Sequence, residues 1–432
     1  MAVGWLRGTR YMDARGGLLA MRGFMQISID GQLDEHARRR SIAFLNWAHA
    51  IDHFVLLIYP TVVIGLEAVY QRGYSGLIAL SSTAFVAFGF FSLPAGWLAD
   101  RWSRRNMMAA FYIGCGLSLA LTGLASNLAI LAVGMFFLGT FAAIYHPVGM
   151  AMLIEASQAR GRTLAFNGVC GNLGVSLAAG ISAALATWFG WRAAFLVPAA
   201  LCIATGIVYL RLTPGDRHQV ETRQSKPAVP LTAKHAVILF GLFLIIAMSA
   251  GLVFNLLTIA LPKIVDEGIA ASMPLVLVGS IATGVLVCGA LAQLTVGRLV
   301  EWVPPHVIFV CVTALGFAGN LWATYASGVS LMIALAIAIG AIYGQVTVND
   351  IILARYTADA WRGRVYAVRY FTLFISAGAA VALISLLHKS GGFSLVLGIN
   401  SLIALIMFLS TLGLVALIVS VEGRAGAVQP AE

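Results

Sequence analysis

One short stretch concentrates ionisable side chains inside an otherwise apolar run: Asn46-Trp-Ala-His49-Ala-Ile-Asp52-His53. On a helix, His49 to Asp52 is a step of three and His49 to His53 a step of four. Asn46 lies one turn earlier, so all four share a face. A carboxylate beside imidazoles is chemistry for holding and passing a proton; the alternative is a His–Asp hydrogen bond that locks helix packing. His146, followed by Pro147, also lies well inside an apolar run. It reads as a further proton-handling group or as a residue that satisfies a proline kink. Asn172 and Gln345 fall at a similar depth in their own runs, with Tyr145, Asn255 and Tyr343 as further polar positions. These read as cavity lining or as packing hydrogen bonds. Asp350 and Arg369 sit at equal depth in neighbouring runs, which predicts a structural ion pair; Arg369 facing an anionic ligand is the other reading. No catalytic residue, cofactor or metal is expected. There is no Ser–His pairing, and His49, Asp52 and His53 lack an evident third metal ligand in the sequence. No phosphate-binding loop with Lys-Ser/Thr opens a helix, so nothing points to ATP.

The elements that position these groups follow from composition. Of 432 residues, 60% are hydrophobic and 10% charged, against roughly 25% charged in an ordinary soluble domain. This excludes a soluble enzyme, a disordered chain and a secreted disulfide scaffold, and leaves a polytopic membrane protein. A spanning helix takes about 20 apolar residues. Apolar runs between charged or Pro/Gly breaks predict twelve, near 42–66, 74–98, 106–126, 128–154, 163–188, 192–211, 236–261, 273–300, 305–326, 328–354, 365–388 and 393–420. The runs are continuous rather than alternating, and lipid offers no partner to an unpaired backbone group, so the fold class is all-α. All five cysteines fall inside these runs and read as small packing residues. Counting inward at about 1.5 Å per residue places Asp52, His146, Asn172 and Gln345 each about 14–15 Å from one surface, in a single polar layer.

With the N-terminus inside, only Arg72, Arg192, Lys263 and Lys389 fall outside, and Arg369 lies within a span; every other Lys and Arg is cytoplasmic. That bias predicts both termini in the cytoplasm of an inner, or plasma, membrane. It also accounts for the formal net charge of +10 through anionic lipid, with no nucleic-acid partner. The expected organisation is a cytoplasmic leader over 1–41, six spans over 42–211, a polar linker over 212–234, six spans over 235–420 and a tail over 421–432. Met21 and Met25 are alternative starts.

The two halves echo each other. Gly96-Trp-Leu-Ala-Asp100-Arg101-Trp recurs as Gly297-Arg-Leu-Val-Glu301-Trp, 201 residues on, and Arg160-Gly-Arg162 recurs as Arg362-Gly-Arg364, 202 residues on. Ala-Ile-Tyr145 matches Ala-Ile-Tyr343, and Pro60 matches Pro262. Matches in the same order predict two parallel six-helix repeats. Asp100 and Glu301, at helix ends, are expected to face the positive N-terminal ends of spans 11 and 5. Arg104 and Arg105 are expected to reach lipid phosphate or Glu155.

Gly96-Trp-Leu-Ala-Asp100-Arg101-Trp-Ser-Arg104-Arg105 resembles the signature between spans 2 and 3 of the major facilitator superfamily, with Ser103 where the family usually has Gly. Gly190-Trp191-Arg192 is similar to a further family feature. The His and Asp of span 1, His146-Pro147 and Gly171-Asn172-Leu-Gly174 resemble bacterial fosmidomycin-resistance efflux proteins, although Asn172 replaces the Pro of the antiporter signature. The resemblance implies a twelve-helix secondary transporter, rocking two bundles about a mid-membrane site. It implies proton-coupled efflux of a small organic solute, with Asp52 carrying the proton and His49, His53 and His146 around it. Gly96, Asp100, Arg101, Arg104, Arg105 and Glu301 would form a cytoplasmic gate. The expected partners are a small-molecule substrate, protons and membrane lipid, around a monomer. A uniporter or anion symporter using Arg369, and a non-transporting receptor or scaffold, are the alternatives.

Overall fold

A computed structural model describes residues 14–157, 160–213, 232–269, 273–357 and 359–426. Most of the expected linker, the first 13 residues and the end of the tail lie outside them. Among the described residues, eleven helices are long and apolar enough to cross a membrane. They are α1 (Glu35–Tyr70), α2 (Tyr74–Arg101), α3 (Arg104–Gly123), α4 (Leu128–Ala156), α5 (Arg162–Phe189), α6 (Ala193–Leu212), α7 (Ala233–Gly268), α8 (Leu275–Leu299), α9 (Pro305–Tyr325), α10 (Gly328–Leu353) and α11 (Phe371–Val421).

Local chemistry sets the ends. The Ser103 side chain accepts from Asn106 N–H at 3.1 Å, and Asn127 Oδ1 accepts from Ile130 N–H at 2.9 Å. Each supplies a helix N-terminus with one of its missing acceptors. At the far end, α1 stops at Tyr70 and Gln71 turns the chain at φ 51°. The helix leading into α1 already runs from Ala14, with no break at position 41. α11 is continuous except at Gly391 and Gly392, where φ/ψ leave the helical region and Gly392 adopts φ 63°. It falls between the runs 365–388 and 393–420 read from sequence as the last two spans. In α4, Tyr145–Gly149 forms a π-helical stretch around Pro147, so the expected kink takes the form of a locally widened helix.

The first six helices pack chiefly through α1 on α5, α3 on α6, and α4 on α2 and α3; the later ones through α7 on α11 and α10 on α8 and α9. The two sets meet along α5–α8 and α2–α11. Glycine permits the tightest of these approaches: a Cβ on Gly174 would stand 2.1 Å from Ala50 O, so α1 and α5 touch backbone to backbone. Large apolar side chains such as Phe90, Leu124, Trp188 and Val237 point outward and exposed, as a protein solvated by hydrocarbon requires. The chain is a multi-pass helical membrane protein.

Candidate functional site

α1 presents Asn46, His49, Asp52 and His53 within two turns, and the structure turns them inward. Asp52 is fully buried. Its partner is not a histidine of its own helix: Asp52 Oδ2 lies 3.3 Å from His146 Nε2, in the π-helical stretch of α4. No other hydrogen-bonding group reaches the carboxylate among the described residues. His49 Nδ1 lies 2.8 Å from the backbone oxygen of Asn167 on α5. A carbonyl oxygen only accepts, so in the neutral ring His49 holds its proton on Nδ1 and leaves Nε2 bare. His53 Nε2 stands 3.2 Å from that bare nitrogen. The His49 ring stacks on Tyr145, with centroids 4.9 Å apart.

Asn167 organises this group and was not among the expected site residues. Its Nδ2 donates to Asn46 Oδ1 at 3.0 Å, and its Oδ1 accepts from Tyr145 Oη at 3.1 Å. It is an amide in an apolar run, five residues from Asn172, and that was its only signal. Gly171, one turn further along α5, makes room for the imidazole, because a Cβ there would lie 2.6 Å from His49 ring atoms. One nitrogen from each of His49, His53 and His146 lies within 4.8 Å of the others. Packing thus supplies the third metal-competent ligand that sequence spacing did not place beside the other two.

The cluster sits where the two helix sets meet. Phe374 of α11 lies 5.0 Å from the His146 ring and 4.8 Å from Phe88 of α2, centroid to centroid. Asn172 bonds across the junction to Gln293 of α8, a partner the sequence did not single out. Asn255 donates to Gly251 O at 2.8 Å and to Ser376 Oγ at 3.4 Å, so it joins α7 to α11. α10 carries three buried polar atoms with no partner among the described residues: Tyr343 Oη, Gln345 Oε1 and Asn349 Oδ1. Asp350 and Arg369 form the expected ion pair.

At the helix ends, Arg104 bonds Asp100 at 2.9 Å and also Glu155. Asp100 therefore pairs within its own motif; the side chains at the start of span 11, its expected partner, lie outside the described residues. Arg105 caps the end of α6 through the carbonyls of Thr213, at 2.8 Å, and Leu210; of the two arginines, Arg104 makes the expected contact with Glu155. The Arg101 guanidinium stacks over Trp97 at 4.2 Å. Gly96 faces Pro147, and Glu301 is exposed in the turn after α8, without an ion pair among the described residues.

The opposite end holds a network that sequence reading missed. Lys263 of α7, only 8% exposed, pairs with Glu67 of α1 at 2.6 Å and with Asp266 of its own helix at 2.8 Å. His388 Nδ1 lies 2.9 Å from Ser75 Oγ and its Nε2 3.1 Å from Glu267 Oε1. Ser385 Oγ donates to Ser75 O at 2.8 Å.

Residues 42–279 match the sequence profile of the Major Facilitator Superfamily, and the chain belongs to that superfamily, a family of transporters and not of enzymes. The chain is 31% identical over 157 residues to YqjV of Bacillus subtilis strain 168, an uncharacterized MFS-type transporter; the match covers 35% of this chain and 36% of that protein. The chain thus spans about a third of that relative's length. Among solved structures it resembles a D-xylose-proton symporter, with TM-score 0.67 and 14% identity over 85% of this chain and 96% of that one. It also resembles an inward-facing bacterial homologue of the human lysosomal transporter Spinster, with TM-score 0.65 and 13% identity over 89% and 95% of the two chains. At these identities the likeness is one of fold.

Proposed function

We propose that the protein is a proton-coupled secondary transporter of the inner membrane. It moves a small solute by alternating access between two lobes of six crossings, 42–211 and 235–420, with the break at Gly391–Gly392 separating the last two crossings. Both termini are cytoplasmic on this reading. The observation that carries it is Asp52. A carboxylate sealed from solvent, paired among the described residues with His146, is costly in an apolar interior and is retained where ions or protons pass. Phe374, supplied by the opposite lobe, lies against His146, so separation of the lobes uncovers the pair. The unpartnered polar atoms of α10 offer solute contacts from the second lobe. Arg104, Asp100 and Glu155 tie α2, α3 and α4 at the cytoplasmic end, and the Lys263–Glu67 network closes the other. Efflux is the direction suggested by likeness to the fosmidomycin-resistance proteins. The anion-symport alternative is weakened by Asp350, which already neutralises Arg369.

The test begins with a thermal-shift screen of candidate solutes at two pH values, followed by flux of a hit in proteoliposomes under an imposed pH gradient. Asp52→Asn abolishes gradient-driven accumulation while solute binding persists. Coupling unchanged in Asp52→Asn refutes the assignment.

A further inference from the structure

We infer that His49, His53 and His146 bind a divalent transition cation of the zinc class, and that this ion is the cargo. The inference rests on the transport reading and names its substrate class.

Geometry is the first support. The His49 and His53 Nε2 atoms are 3.2 Å apart. Tetrahedral zinc with Zn–N bonds of 2.0–2.1 Å sets ligand nitrogens about 3.4 Å from one another. The remaining separations are all within 4.8 Å, so binding draws the third nitrogen in by up to about 1.4 Å to reach that spacing. The surroundings are the second support. Metal-bound imidazoles characteristically give their other ring nitrogen to a carbonyl or a carboxylate, which fixes the tautomer and the ring plane. His49 Nδ1 is held by the Asn167 carbonyl at 2.8 Å, and His146 Nε2 lies 3.3 Å from the Asp52 carboxylate, which would orient the ring were Nδ1 the ligating atom.

The donor set selects the ion. Three imidazoles with no carboxylate or carbonyl oxygen among the three suit zinc, cobalt, nickel or copper, and not calcium or magnesium, which require oxygen cages. Asp52 adds one negative charge behind the ring of His146, offsetting part of the ion's charge in an apolar interior. Three protein ligands leave the fourth position open, which suits an ion that is released each cycle. Two ligands ride on α1 and the third on the π-helical stretch of α4, so movement of that stretch alone dismantles the site. The three histidines are partly exposed where Asp52 is not, and Phe374 of the opposite lobe lies against His146.

The experiment uses the full-length protein, purified and stripped with a chelator. Titration with Co(II) is expected to give one equivalent of a four-coordinate visible d–d spectrum, displaced by Zn(II). His53→Ala and His146→Ala remove it, and Asp52→Asn weakens Co(II) affinity about 10–100-fold through loss of the orienting partner. In proteoliposomes carrying a trapped fluorescent zinc chelator, wild type moves Zn(II) and His53→Ala does not. Absence of the cobalt spectrum in wild type overturns the site whatever the variants do, and a spectrum indifferent to His53→Ala overturns the ligand assignment. Binding without zinc flux overturns the cargo role. The proton reading fails separately: Asp52→Asn that still couples flux to a pH gradient defeats it and leaves the cobalt spectrum untouched as evidence.

Discussion

Glu67→Gln offers a direct test of how the lobes are held together. The Lys263 ammonium has three carboxylates within 4 Å, at 2.6 Å (Glu67), 2.8 Å (Asp266) and 3.7 Å (Glu267). Asp266 and Glu267 stand on the same helix as Lys263, so of its three carboxylate partners Glu67 alone links α1 to α7. Removing it leaves the ammonium paired, and the change measures the link between lobes without orphaning a buried charge. Its size lies between two limits. Exposed ion pairs contribute about 0.2–1 kcal/mol, and breaking a fully buried pair costs about 3–5 kcal/mol. The Lys263 side chain is 10% exposed and that of Glu67 28%, which argues for about 1–3 kcal/mol, or a shift of roughly 5–150-fold in the equilibrium between closed and open arrangements at this end. Spin labels at Arg72 and Lys389, both exposed beside the network, report it by pulsed-EPR distance measurement in nanodiscs. Glu67→Gln is expected to populate a longer distance strongly, and Asp266→Asn only weakly. Equal effects of the two variants, or none from Glu67→Gln, refute the assignment of this pair as the closing link.

Two further outcomes follow from the packing of the site. Gly171→Ala places a methyl group 2.6 Å from His49 ring atoms, so it displaces a ligand without deleting one; Co(II) affinity falls at least tenfold, while Gly168→Ala, with nothing within 4 Å, leaves it unchanged. Asn167→Ala removes the amide that bonds both Asn46 and Tyr145 and costs about 1–3 kcal/mol for each buried group left short of a partner; Tyr145→Phe removes only one of these bonds and lowers the melting temperature less, both read by fluorescence-detected thermal unfolding.

The parts of this molecule legible in its sequence are those governed by local period and depth. The face shared by Asn46, His49, Asp52 and His53 follows from steps of three and four on one helix. The Asp350–Arg369 pair follows from equal depth on adjacent antiparallel spans. The break between the last two apolar runs falls at Gly391-Gly392, where Gly392 combines φ 63° with ψ −163°, a region essentially closed to residues with a Cβ. Depth also put His146 in the same layer as Asp52, but depth is one coordinate of three. Which side of α4 faces α1 is decided by tight contacts such as Gly174 on Ala50 O and by the π-helical stretch, and neither has a period to read. Asp52 was therefore matched to the histidines of its own helix, when its neighbour comes from another.

The Lys263 network was hidden for a related reason. Lys263 and Arg72 carry the same information in a count of charges per side, yet Arg72 is exposed and Lys263 is 8% exposed. Orientation rules count charges without asking whether they are solvated, so a buried lysine that ties two lobes reads as an ordinary loop cation. Burial is also what separates the two uses. A lysine in solvent contributes little to any pairing, whereas a buried one must keep or regain its partners when the lobes part. Asp266 and Glu267 travel with it on α7 and soften that penalty, leaving Glu67 as the lysine's carboxylate partner across the lobes, beside the Ser75 contacts to His388 and Ser385. A transporter needs its closing contacts weak enough to cycle. Here that is met by keeping the desolvated lysine paired on one lobe throughout and lending a single carboxylate from the other.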